Sequence, residues 1–322
     1  MNDFKVEVDS LKFVGEGLNR PECVLCTANG AIYTADWRGG VCQILPDGRQ
    51  SWILANDCSF DFKPNGIALE ETGHFLIANL GADGGLYRLS RQGELEVVAD
   101  VIDGKKIPPA NFVMKDRYDR IWLTVSTWLR PRSRGYRRDV ADGFIALIEN
   151  KEIKIVADNL GYTNEVKIDP SGNWLYVIET FGRKLSRFAL NKSGVLGKKE
   201  VVTEFGEGIF PDGLAFDCEG GIWITSIISN RLVRIAPGGK HQLILEDLDH
   251  DHVNSAEQAF KAGVLDREHL DTIRSKKLKN VSSLAFGGKD LKTIYLGCLL
   301  GDSLATFSSP VAGVPPLHWN YC

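Results

Sequence analysis

One polar residue opening a run of alternating apolar positions, then a turn, then a second apolar run carrying an aromatic, recurs along the chain. Phe210-Pro211-Asp212-Gly213-Leu214-Ala215-Phe216 passes through a turn into Ile222-Trp223-Ile224. Pro64-Asn65-Gly66-Ile67-Ala68-Leu69 leads to Phe75-Leu76-Ile77, and Thr163-Asn164-Glu165-Val166-Lys167-Ile168 to Trp174-Leu175-Tyr176-Val177. Short apolar runs bounded by Gly, Asp and Pro predict strands rather than helices. Aligned units start near Glu22, Asn65, Asn111, Asn164, Asp212 and Val281. A repeat of ~40–50 residues holding several short strands predicts propeller blades. The expectation is an all-β chain, residues 1–322 forming one six-bladed β-propeller domain. Val6–Val14 would pair with the last blade and close the ring, which removes exposed sheet edges. Only 247–279 has helix-forming composition, and Ser255 with Gln258 has the spacing of a capping box.

The variable polar residue of each unit matters because innermost strands of a propeller converge on one channel. Glu22, Asn164 and Asp212 each open such a strand. Two carboxylates and an amide oxygen make a hard, oxygen-rich cluster suited to one divalent cation: calcium, magnesium or manganese, with zinc or iron also compatible by ligand type. A lone Pro-Asp-Gly is an ordinary turn former; three such positions in register with Glu22 point to a site. Asn65, at the same place in the second unit, is a candidate substrate contact, and Trp128 a candidate pocket wall.

Composition narrows the classes. Hydrophobic residues make up 43% and charged residues 25% of 322, with a formal charge of −4, so there is no basic footprint for nucleic acid. No apolar run approaches the ~20 residues a membrane helix needs, and the N-terminus lacks a signal-peptide pattern, so a cytoplasmic protein is expected. Cys23 and Cys26 spell C-x-x-C without a second pair and read as buried free thiols. The basic stretch Arg130–Arg138 reads as a solvated surface loop, with gating of an anionic substrate as the alternative. Ser126 and Thr127 lack a paired His and acid in a nucleophile pattern.

Pro211-Asp212-Gly213-Leu214-Ala215-Phe216-Asp217 with Glu219-Gly220-Gly221-Ile222-Trp223-Ile224 resembles the senescence marker protein/gluconolactonase family of regucalcin-like six-bladed propellers, and weaker similarity runs through nearly the whole chain. The resemblance implies one divalent cation held by Glu22, Asn164 and Asp212, with Asp212 also the general base toward an activated water. It also implies that Asn111 touches substrate. The chain departs from the family's sugar lactonases around that asparagine. Pro109 stands where they have arginine and Phe112 where they have aspartate, implying a substrate less polar than an aldonolactone. Glu165 replaces the usual glycine after Asn164 and is a candidate substrate contact, proton shuttle or support for the metal position, the alternative being a side chain that points into solvent.

These readings combine into a metal-dependent lactonase-type hydrolase acting on a small molecule. Two alternatives remain: a lyase or isomerase on a carbonyl compound at the same site, and a propeller that binds a ligand or partner without turnover. Fold alone does not separate them.

Overall fold

The computed structural model of the chain describes residues 4–272 and 274–321. Six four-stranded antiparallel sheets each run in sequence order from an innermost to an outermost strand, except where the ring closes. The innermost strands are Val24–Cys26, Pro64–Leu69, Ala110–Lys115, Thr163–Ile168, Phe210–Phe216 and Val281–Gly287, for blades one to six. Each touches the next and the sixth touches the first, so the expected repeat is a closed six-bladed propeller. In the sixth blade the outermost strand is Lys12–Val14 from the N-terminal segment, pairing antiparallel with Leu304–Ser308. The segment that pairs is narrower than the expected Val6–Val14 and lies inside it.

Wide apolar side chains fill the spaces between sheets. Trp122 and Trp223 are wholly buried in the third and fifth blades. Cys23, Cys26, Cys42 and Cys298 are buried free thiols. Burial pushes the Cys23 thiol up to about 12, which leaves it protonated and unreactive at neutral pH.

The insert forms two helices, α1 (His250–Lys261) and α2 (Arg267–Asp271). The capping box expected at Ser255 is not there, since Ser255 lies mid-helix. Asp249 caps α1, accepting the His252 N–H at 2.8 Å, and Asp266 with His269 forms the capping box of α2. The acid-and-histidine run before α1 therefore serves a helix start. Val253, Ala256 and Phe260 of α1 and Leu270 of α2 pack on Tyr136, Tyr162, Phe181 and Phe210. Arg183 pairs with Glu257 at 2.5 Å, and Gly208 N–H donates to the same carboxylate. The insert is thus fixed beside the residues that lead into the innermost strands of blades four and five.

No helix among the described residues is long and apolar enough to cross a membrane.

Candidate functional site

In blades two to five, the register between the innermost strand and its neighbour slips where the variable polar residue sits. The slips fall between Pro64 and Ile67, Ala110 and Phe112, Thr163 and Val166, and Pro211 and Leu214. They enclose Asn65, Asn111, Asn164 and Asp212. A bulge frees a residue from the ladder and re-aims its side chain, so an ordinary strand pattern presents a polar group to the channel. Second-strand hydroxyls take over the freed N–H groups. Thr124 Oγ1 accepts from Phe112 N at 3.1 Å and Thr225 Oγ1 from Gly213 N at 2.7 Å. Blade one uses a left-handed turn instead, with Arg20 at φ 53° two residues before Glu22; Tyr162, two before Asn164, has φ 66°. Each such residue costs on the order of 1–2 kcal/mol.

The residue after the polar one faces the next blade. A Cβ on Gly66 would lie 2.5 Å from Phe112 Cα, and one on Gly213 2.5 Å from Ser282 O. Glycine is needed at both. At the equivalent place in blade four, Glu165 uses this direction to accept the Leu214 N–H of blade five at 3.1 Å.

Glu22, Asn164, Asp212, Asn65 and Asn111 are all buried and form two hydrogen-bonded sets, one across blades one to three and one across blades four and five. Asn65 Nδ2 donates to Glu22 Oε1 at 3.0 Å and to Asn111 O at 2.9 Å. Arg20 Nε donates to Glu22 Oε2 at 3.0 Å. Asn164 Nδ2 donates to Asp212 Oδ1 and to Thr180 Oγ1. Asn111 Nδ2 donates to Ser126 Oγ at 3.1 Å. Asn65 thus spends its donors on Glu22 and blade three, and its Oδ1 is buried without a partner.

The electrostatics set these acids apart. Burial, then Glu22, then Glu165 raise the Asp212 carboxyl well above its ordinary range, against Arg20 and Arg132. Burial pushes Glu165 up to about 7, with Glu22 adding to it and Lys167 and the Leu214 N–H opposing. At Asp212 the negative charges of Glu22 and Glu165 outweigh the positive ones of Arg20 and Arg132. The Asn164 amide N–H reaches Asp212 at Oδ1. No three His, Cys, Asp or Glu side chains converge among the described residues, so a third oxygen must come from the Asn164 amide. Oxygen donors only, with an Asp212 carboxyl raised by acidic neighbours, fit a hard divalent cation.

Two expected residues lie elsewhere. Phe112 lines a cavity of about 370 Å³ toward the other end of the channel, with Met114, Phe286 and His318. It follows Asn111 directly, and the pleat sends the two side chains apart. Trp128 stacks on Phe144 with ring centroids 4.9 Å apart and packs with the apolar cluster of blades two and three.

Two residues gain a place at the site. Arg20 reaches Glu22, and Arg132, from the basic loop read as solvated, turns inward. Its Nε donates to Tyr162 OH at 2.8 Å and its Nη2 to Ser126 Oγ at 3.3 Å. Arg20, with Trp37, Arg267 and Leu299, also lines an open cleft of about 400 Å³.

Residues 55–246 match the family model described as SMP-30/Gluconolactonase/LRE-like region. A 6-deoxy-6-sulfogluconolactonase of Pseudomonas putida is 26% identical over 233 residues, covering 71% of this chain and 67% of that one. A Bacillus subtilis (strain 168) chain provisionally named a sugar lactone lactonase, YvrE, is 26% identical over 298 residues, covering 91% and 86%. The crystal structure of a calcium-binding regucalcin from Agrobacterium tumefaciens superposes with a TM-score of 0.69 at 16% identity, covering 96% of this chain and 98% of that one. With more than half of the chain inside the family model and the same propeller in the solved structure, the chain belongs to the SMP-30/gluconolactonase/LRE-like family.

Proposed function

We propose that the protein is a divalent-metal-dependent hydrolase that opens a lactone. The observation that carries this reading is that Glu22, Asn164 and Asp212 are buried at the innermost strands of three blades, with Asn164 Nδ2 donating to Asp212 Oδ1 and the Glu22 charge raising the Asp212 carboxyl. The names of the two lactonase relatives support the reaction type.

Glu22, Asn164 and Asp212 would hold the cation. When bound, it supplies Lewis-acid polarisation of an ester carbonyl and a water of lowered pKa. Asp212 accepts the proton of the attacking water at Oδ2. Asn65 and Arg20 fix the Glu22 carboxylate from two sides. Asn111, whose Nδ2 is held by Ser126, offers Oδ1 to a substrate hydroxyl. A substrate with fewer hydroxyls than an aldonolactone is supported by Pro109, which has no side-chain donor; Phe112, at the other end of the channel, does not contribute. Glu165 supports the Asp212 strand through the Leu214 N–H and serves as a proton acceptor near neutrality.

The test is hydrolysis of aliphatic, aromatic and sugar lactones followed by acid release, with metal content measured on the same sample. Lactone opening that a chelator abolishes and a divalent cation restores is expected. Full activity in chelator, or in Asp212→Ala, would refute the mechanism. Release of an unsaturated product in place of a hydroxy acid would identify a lyase.

A further inference from the structure

We propose that the substrate carries an anionic group, a carboxylate or sulfonate, and that Arg132 is the residue that receives it. This rests on the hydrolase reading and names the substrate class of that site.

Arg132 is a cation set into the site without a counter-ion. Its hydrogen bonds go to two neutral hydroxyls, Tyr162 OH and Ser126 Oγ, and no carboxylate among the described residues comes within ion-pair distance. Arg132 is half-buried, and the fully buried arginines are arranged differently. Arg20 faces Glu22 at 3.0 Å, Arg120 faces Asp116 at 2.8 Å and Arg234 faces Asp217 at 2.6 Å. Withdrawing a guanidinium from water is costly unless an opposite charge meets it.

The position suits a substrate group. Ser126 Oγ receives both Arg132 Nη2 and Asn111 Nδ2, so the cation stands one hydroxyl away from the asparagine assigned to orient the lactone. Arg132 is near enough to Glu22 and Asp212 to act on their charges. Arg267 of α2 adds a second positive charge that acts on both Arg20 and Arg132, although it already pairs with Asp271 at 2.8 Å. Arg20 already pairs with Glu22, whereas Arg132 has no anion of its own among the described residues, and a divalent cation at Glu22 and Asp212 would not supply one. An anionic substituent does, and the planar guanidinium fork matches a carboxylate or sulfonate through two parallel hydrogen bonds.

The loop geometry fixes the arginine. The Arg132–Gly135 turn is followed by Tyr136, which is buried against Tyr162 and Phe181 with ring centroids 5.2 and 4.6 Å away. Arg130, Arg134 and Arg137 of the same stretch are exposed. The loop therefore selects one arginine for the interior and leaves the others in solvent.

The test uses a matched pair: γ-butyrolactone bearing a carboxylate at the ring carbon beside the ring oxygen, and its carboxamide isostere. Wild-type protein is expected to favour the carboxylate in kcat/KM by roughly 10- to 100-fold, the usual range for a charged hydrogen bond. Arg132→Gln should collapse that ratio toward one, Arg132→Lys should restore part of it, and Arg134→Gln should leave it as in wild type. Equal use of both lactones by wild type, or an unchanged ratio in a folded Arg132→Gln, overturns the proposal while leaving the hydrolase reading intact. If neither lactone is opened, the hydrolase reading fails, and calorimetric titration of the carboxylate lactone decides the anion site. Binding that weakens at least tenfold in Arg132→Gln supports it, and equal or absent binding in wild type and variant overturns it.

Discussion

Asp212 and Asp217 stand at opposite ends of one innermost strand, and the structure treats them in opposite ways. Both are buried. Asp217 accepts four N–H groups from its own blade: Glu219 N and Gly221 N at Oδ1, Trp223 Nε1 and Arg234 Nε at Oδ2, at 2.6 to 2.9 Å. Burial alone would raise its carboxyl, but Arg234, Trp223 and Gly221 outweigh burial and hold it below the usual range. Asp212 has one donor, the Asn164 amide of the neighbouring blade, and is raised. Asp116 of blade three repeats the Asp217 pattern, accepting Tyr118 N, Arg120 N, Arg120 Nε and Trp122 Nε1. Acids at that end of the strands close turns within a blade. At the other end, Asp212 faces across blades and has no ion-pair partner among the described residues, whereas Glu22 is met by Arg20. An aspartate whose acceptors are saturated locally is structural; one left facing other acids waits for a ligand.

The sharpest break between the two is catalytic. Asp212→Asn should lower lactone turnover by about 10²–10⁴-fold, the range for loss of a general base. The chelated variant should also melt higher than chelated wild type, because a buried acid repelled by Glu22 has been neutralised. Adding a divalent cation should raise the wild-type Tm and leave the variant nearly unmoved. A variant that melts lower in chelator would show that Asp212 is anchored like Asp217.

The reverse experiment removes the anchor. Asp217→Ala strands the Arg234 guanidinium and the Trp223 N–H, and breaking such a buried pair costs about 3–5 kcal/mol. Denaturant unfolding should show that loss, while turnover per folded molecule at saturating substrate stays within twofold of wild type. A selective fall in turnover would mean that the two ends of the strand are coupled.

Acid and base limbs of stability separate the same two classes. Asp217 has a depressed folded pKa, so its stabilisation is present above the ordinary 3.8 and is lost as pH falls below that value. Glu165 runs the other way. Its folded pKa is raised from 4.5 to about 7, so the folded state binds the extra proton and stability falls as pH rises from 4.5 to 7, then levels. At ~1.4 kcal/mol per pH unit, the loss is on the order of 3 kcal/mol in metal-free protein. Glu165→Gln should remove that slope when unfolding free energy is followed from pH 4 to 8. A slope unchanged by the substitution would place the titrating group elsewhere.

Much of this is legible in the amino-acid sequence. The repeat locates the six innermost strands, and the position of its variable residue identifies Glu22, Asn65, Asn111, Asn164 and Asp212 as neighbours. In blades two to five that works because the polar residue marks a bulge, a local event written in adjacent residues. The N-terminal closing strand is legible for a related reason: a ring has a free edge to fill. Arg132 is not legible. Its inward turn depends on Tyr136 packing with Tyr162 and Phe181 beneath the α1 helix, contacts that join distant parts of the chain. The composition of 130–138 describes its exposed arginines correctly and gives no sign of the one that turns inward. The cap of α1 is misplaced by sequence as well, because Ser255 with Gln258 and Asp249 before His250 are both valid local signals. Packing of Val253 and Phe260 against the propeller selects the longer helix.

Phe112 provides the finest probe of the division. Its neighbour Asn111 belongs to the polar end, whereas its own ring lies under Lys167 Nζ, 5.3 Å from the centroid, in the cavity with Met114 and Phe286. If the pleat separates the two ends as described, Phe112→Leu trims a ring from a partly open cavity and costs about 1 kcal/mol, the range for a near-volume-conserving core change. KM for any lactone should stay within twofold, because nothing at the Glu22–Asp212 end touches the ring. A KM change larger than the stability change would mean that substrate passes the level of Glu165 and enters the apolar half. The separation of the two ends would then be a property of the acids alone and not of the channel.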